Sequence, residues 1–209
     1  SLYLNRYLSE CGYDPVVFYN RVDGFYNPYS VDMVDTFYRE VSSGAKSSKA
    51  IDSATESIRK CLGGTIRPSA IVIDLANTIA TSPDNLSDEE VEYYTRLMLA
   101  TKNPTQAISM RDKKPLTNLL FLIVEKVNDI PVWFYLNNPY VRTLTISKPE
   151  KEIRSAVIDA RIDFIEGAKD ISAETRSNIQ EEFVALTEGM TLVEIFGVFS
   201  LCRQKEYSI

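Results

Sequence analysis

Ser69-Ala70-Ile71-Val72-Ile73-Asp74-Leu75-Ala76-Asn77-Thr78-Ile79 is the stretch that decides the fold. Four apolar residues run into one aspartate and then into a loop, the pattern of a strand buried on both faces that ends at the carboxyl edge of a parallel sheet. That edge is where α/β folds bind ligands. Asp74 is therefore the first candidate for a phosphate- or metal-handling group, set against the commoner use of such an aspartate in closing a turn or capping a helix.

Working upstream, Pro15-Val16-Val17-Phe18-Tyr19 predicts a second buried strand, which leaves through an Asp23-Gly24 turn and halts at Asn27-Pro28. The aromatics of this exit serve either a binding loop or a lid over core, core being the commoner use. Leu4, Tyr7, Leu8 and Cys11 keep helical spacing, with Gly12 as the stop. Ser30 caps a helix that turns Val31, Val34, Phe37, Tyr38 and Val41 to one side. A small-residue connector over 42–48 leads to a second amphipathic helix with Ile51, Ala54, Ile58, Cys61 and Leu62 inward, closed by Gly63-Gly64.

Working downstream, Ser87 and Glu90 form a capping-box pattern for a helix through Val91, Tyr94, Leu97 and Met98. The polar stretch around Lys113-Lys114-Pro115 reads as irregular, residues 119–124 as a third buried strand, and residues 132–136 as either a short helix or a strand. Residues 141–146 alternate as a partly exposed edge strand does. Pro149 at N1 opens a helix with Ile153, Val157, Ala160 and Phe164 inward, and Ser172 and Thr191 cap two more. Strands and helices alternate up to residue 148 and only helices follow, so the expected organisation is an α/β domain over 1–148, a parallel sheet sandwiched by helices, and a small all-helical subdomain over 149–209.

Composition narrows the chemistry. The 209 residues are 44% hydrophobic and 25% charged, the balance of a folded globular chain. A net charge of −6 supplies no excess of positive charge to displace counterions from a polyanion, so nucleic acid is not the expected partner. The absence of histidine removes imidazole-based dyads and most zinc sites. Three scattered cysteines, Cys11, Cys61 and Cys202, offer neither a disulfide framework nor metal spacing and suit a reducing cytoplasm. The apolar runs are too short for a bilayer.

For phosphate, the one candidate loop holds Lys46 and Ser47 ahead of a helix. A P-loop is GxxxxGK[ST], whose glycines let backbone N–H groups wrap the phosphates. With Lys46 in the lysine position, the two glycine positions hold Glu40 and Ala45, so the loop reads as a connector between helices. Beside Asp74 stands Leu75 where a water-activating carboxylate would be needed. Asp88-Glu89-Glu90 and Glu181-Glu182 point in different directions around helices, and the first group sits where acids stabilise a helix N-terminus.

The order of these elements resembles the AAA+ ATPase module. Ile71-Val72-Ile73-Asp74 is similar to its Walker B strand, and the strand that runs into Glu125-Lys126-Val127-Asn128-Asp129 is similar to the one ending at sensor 1. Arg142 ahead of Thr143-Leu144-Thr145-Ile146, then Pro149, resembles the passage into the lid, and Thr187-Glu188-Gly189 with the capped helix after Thr191 resembles the lid signature. The resemblance implies a P-loop-NTPase-like sheet with a helical lid, Asn128 at the sensor position and Arg142 near an arginine finger. With the Walker A glycines and the Walker B glutamate missing, it is similar to the degenerate N-terminal AAA-like domain of bacterial tandem AAA proteins, in which an intact ATPase module follows.

The expected role is thus a non-hydrolysing scaffold or interaction module of a larger ATPase, with no catalytic residue, no metal ligand and no cofactor of its own. The resemblance implies ATP and Mg²⁺ as cofactors of the parent protein, not of this segment. The partners implied are other AAA modules, in the same chain or in a homo-oligomer, or another protein. The alternatives are an atypical nucleotide-binding domain with slow hydrolysis, built on a loop around Asp23-Gly24 or Lys46, in which Lys46, Ser47, Asp74, Asn128 and Arg142 are the contacts to seek, and a clamp-loader-like subunit.

Overall fold

The computed structural model describes residues 2–41, 49–102, 105–165 and 171–204. They fall into two compact units, divided between residues 143 and 144. In the first, α1 (Leu2–Glu10) leads to β1 (Val16–Asn20), which hairpins into β2 (Gly24–Tyr26). Two helices follow, α2 (Val31–Val41) and α3 (Ile51–Leu62), and then β3 (Ala70–Ile73), the strand from the opening stretch. After α4 (Asp88–Lys102) come a small hairpin, β4 (Gln106–Ile108) with β5 (Pro115–Thr117), then β6 (Leu119–Leu122) and the short α5 (Val132–Tyr135). The main sheet has the order β2-β1-β3-β6, with β1, β3 and β6 parallel and β2 antiparallel at one edge.

The three parallel strands lie side by side in the order in which the chain makes them. Right-handed crossovers that always step in one direction put their helices on one face, and the packing follows that rule. Val17, Tyr19, Ile71 and Ile73 face Phe37 of α2, Ile58 of α3, Tyr94 and Leu97 of α4 and Phe134 of α5. The opposite face, Val16, Phe18, Ala70 and Val72, meets Leu8 of α1 and the half-buried Leu116 of β5. Alternation along each strand thus feeds both layers, which is why β1 and β3 read as unbroken apolar runs.

The helix starts follow their caps. Ser87 and Glu90 bond reciprocally, Glu90 N–H to Ser87 Oγ at 3.3 Å and Ser87 N–H to Glu90 Oε2 at 2.8 Å. Within α4 the inward stripe is Tyr94, Leu97 and Ala100, while Val91 is exposed. Tyr94 is fully buried against Trp133 and Phe134, and its hydroxyl has no hydrogen-bond partner among the described residues. Deleting an unsatisfied buried polar group recovers its desolvation cost. Tyr94→Phe is accordingly expected to leave stability unchanged or raise it by about 1 kcal/mol, read as the midpoint of urea unfolding followed by Trp133 fluorescence.

Four expectations change. The strand over 119–124 forms, but as an edge strand whose residues are only half-buried, since no described strand lies beyond it. The polar stretch before it is the β4–β5 hairpin, with Lys113 left-handed (φ 61°) in its turn and Ser109 N–H on Lys114 O at 2.9 Å. Residues 132–136 resolve as the helix α5. Residues 141–146 carry no strand: Leu144 is 81% and Ile146 97% exposed, so the alternation is present without a sheet to receive it.

The second unit contains α6 (Lys151–Arg161), α7 (Ala173–Leu186) and α8 (Leu192–Gln204) around Ile158, Val184, Ile195 and Phe199. Ser172 Oγ accepts from Thr175 N–H at 3.2 Å, and Thr191 and Glu194 form a second capping box. Pro149 lies outside α6, whose N-cap is Glu150. The inward stripe of α6 therefore falls on Arg154 and Ile158, while Ile153 and Phe164 are exposed. Arg154 is buried and its Nη1 donates to Pro149 O at 2.9 Å, so a residue outside the expected inward set occupies the core stripe. No helix among the described residues is long and apolar enough to cross a membrane.

Candidate functional site

The carboxyl edge of the parallel strands is built from three exits. The exit of β1 decides most, because in phosphate-binding α/β folds a strand there opens into a glycine-rich loop and a helix. Here it closes on itself. Asn20 Oδ1 accepts from the N–H groups of Val22 and Asp23 at 2.9 and 2.8 Å, and Asn20 Nδ2 donates to Asp23 Oδ2 at 2.8 Å. Gly24 then adopts φ 77°, a left-handed conformation natural to glycine, and any Cβ there would sit 3.2 Å from Lys49 Cγ. The chain reverses into β2, and Arg21 Nη1 ties the turn to Thr78 O at 2.8 Å. The two N–H groups that form an anion-binding nest in such a turn are thus already satisfied by a neutral side chain.

At the exit of β3, Asp74 is half-buried at the strand end. One carboxylate oxygen accepts from the N–H of Leu75 at 3.1 Å and the other from the Tyr26 hydroxyl at 3.2 Å. Leu75 takes a left-handed conformation (φ 55°, ψ 46°), a cost of roughly 1 kcal/mol for a residue with a Cβ. It is held by the aspartate before it and by the Ala76 N–H on Ile123 O at 2.9 Å after it. Burial pushes the Tyr26 phenol above its ordinary range; the Asn20 hydrogen bond opposes this and the Asp74 charge adds to it. Tyr26 therefore stays a neutral donor to Asp74 at physiological pH.

At the exit of β6, Lys126 N–H donates to Asp129 Oδ2 at 2.9 Å and starts a 3-10 turn over Val127–Asp129. Asn128 in that turn accepts from the Tyr135 hydroxyl at 3.4 Å, and Arg142 is exposed beyond α5. Of the sequence candidates, Asp74 is joined to Tyr26; Asn128 and Arg142 are not among its hydrogen-bond partners. Lys46 and Ser47 lie outside the described residues, in a segment flanked by two helices, α2 and α3, and not by a strand and a helix. Among the described residues no group of three acidic or cysteine side chains is placed to hold a metal ion.

Glu40, at the first glycine position in the P-loop register, sits at the opposite edge of the sheet. Its Oε1 is 3.9 Å from Arg67 Nε, and Arg67 Nη1 is 2.9 Å from Asp14 Oδ2, just ahead of β1. Burial pushes the Glu40 carboxyl upward against the opposing pull of Arg67. Tyr26, which bonds Asp74, and Asn20, which closes the turn at the exit of β1, are residues of the candidate site absent from the sequence candidates. The Asn-x-x-Asp-Gly order signals the turn that Asn20 closes, whereas the Tyr26 to Asp74 contact spans 48 residues and has no local signal.

The order β1-β3-β6 steps one way only, so among the described residues the parallel strands contain no point where strand order reverses, the usual place of a ligand crevice. A model of the family described as AAA+ chaperone, N-terminal Rossmann-like domain, matches residues 1–147. No curated protein and no solved structure matches the chain. On the strength of that match over the sheet and all its flanking helices, the chain belongs to the AAA+ chaperone N-terminal Rossmann-like domain family.

Proposed function

We propose that the α/β unit is a non-hydrolysing scaffold or interaction module of a larger AAA+ chaperone, and that the helical segment over 149–209 is its lid-like appendage. The exit of β1 carries this reading: Asn20 occupies the N–H groups of Val22 and Asp23, and the chain turns back into β2 instead of opening into a phosphate loop. Asp74, bonded to Tyr26 and to its own neighbour, then serves the turn at Leu75. Its partners are other AAA modules, in cis or in a homo-oligomer, or a client protein.

Calorimetric titration with ATP and Mg²⁺ tests the proposal. Binding is expected to be weaker than about 1 mM, with no phosphate release above the uncatalysed rate. Micromolar binding abolished by Lys46→Ala or Asp74→Ala, or hydrolysis that drops in Asp74→Asn, would overturn it in favour of an atypical ATPase.

A further inference from the structure

Two parts of this chain lack the pairing that their residues suit. The first is the outer edge of β6. Leu119 and Ile123 donate their N–H groups to Ser69 O and Ile73 O of the β3 side, so the alternate residues Leu120 and Leu122 present theirs outward, where no described strand lies. Residues 119–124 include no charge, proline or glycine, the usual protections of an open edge. The second is the segment Arg142-Thr143-Leu144-Thr145-Ile146-Ser147, rich in β-formers, alternating and exposed, yet without secondary structure.

We propose that this segment of one copy adds as an antiparallel strand to β6 of a second copy, reciprocally about a two-fold axis. Charge sets the register. Exposed Glu125 ends the β6 run, and exposed Arg142 begins the segment; neither has an ion-pair partner among the described residues. Lys148, at the other end, already donates to Gly189 O, which leaves Arg142 to meet Glu125 and fixes the antiparallel sense.

With Arg142 opposite Glu125, Thr145 falls opposite Leu122, whose N–H faces outward, and the two exchange backbone hydrogen bonds. Leu144 falls beside Ile123 and Ile146 beside Phe121. Phe121 belongs to the more thinly covered face of the sheet, so the incoming strand buries apolar surface on both partners. This pairing goes beyond the nucleotide question and stands whether or not ATP binds.

Sedimentation velocity of the whole chain from about 1 to 100 µM tests it. A concentration-dependent dimer is expected, weakened at least tenfold by Thr145→Pro, which removes one ladder donor at a site exposed in the single copy. Arg142→Glu is expected to weaken it similarly, and Glu125→Arg in the same chain to restore it. A monomer throughout that range, or a dimer indifferent to Thr145→Pro and to the charge exchange, would overturn the proposal.

Discussion

Asn118→Ala is expected to cost the α/β unit about 3 kcal/mol, a fall in Tm of roughly 8 °C. The side chain is buried at the amino edge of the sheet, just ahead of β6. Its Oδ1 accepts from Ser69 N–H at 2.9 Å, and its Nδ2 donates to Leu62 O and Gly64 O, each at 2.9 Å. One amide thus joins the end of α3, the start of β3 and the start of β6. Truncation strands a donor and two acceptors where water has poor access, and stranded groups cost more than the hydrogen bonds contribute.

Asn118→Asp separates this account from simple loss of volume. The new carboxylate keeps the acceptor for Ser69 but faces the carbonyl oxygens of Leu62 and Gly64, so its pKa in the folded state is raised above the unfolded value of about 3.9. The sign follows: the penalty is fully present above the folded pKa and disappears as pH falls below the unfolded one. Relative to the parent chain, the deficit of Asn118→Asp should therefore shrink on acidification while that of Asn118→Ala stays constant. Trp133, the sole tryptophan, lies in the α/β unit and reports its unfolding.

The residues that sequence made legible are those whose role is local. Apolar runs placed β1 and β3, because strands buried on both faces need no partner to be recognised, and Ser87, Ser172 and Thr191 placed their helices through bonds within one turn. What sequence hid is whatever depends on a distant neighbour. An apolar run reads alike whether it lies at the centre or the edge of a sheet, so residues 119–124 read as a buried strand although β6 is half-buried at an edge. Residues 141–146 have the alternation of a strand, but alternation names a conformation and not a partner. Around the candidate site, Asp74 was visible and Tyr26 was not: the aspartate follows from its strand, the tyrosine from a hairpin whose existence was implied only by Asp23-Gly24. Arg154 has no local signal, because what admits a guanidinium to the buried stripe is the Pro149 carbonyl that accepts from its Nη1.

Phe37→Ala carries the largest expected loss, about 4 kcal/mol, and it bears on the candidate site through β2. Phe37 is fully buried on α2, its ring 4.4 Å from that of Phe25 and 5.5 Å from that of Tyr38, while Phe25 lies 5.0 Å from Tyr19 of β1. Phe25 belongs to β2, so this aromatic stack fastens the hairpin that fills the exit of β1. Removing the ring leaves a cavity under an edge strand of three residues, which has no second strand to hold it. The loss should therefore be uneven: amides of β2 exchange with deuterium far faster in Phe37→Ala, while those of β3, paired on both sides, accelerate only by the fall in global stability. Phe37→Leu, which keeps most of the volume, should cost less than half as much and leave β2 protected. Equal acceleration of β2 and β3 in Phe37→Ala would mean that the hairpin and the central strand open as one unit, and that the closed β1 exit is as rigid as the core of the sheet itself.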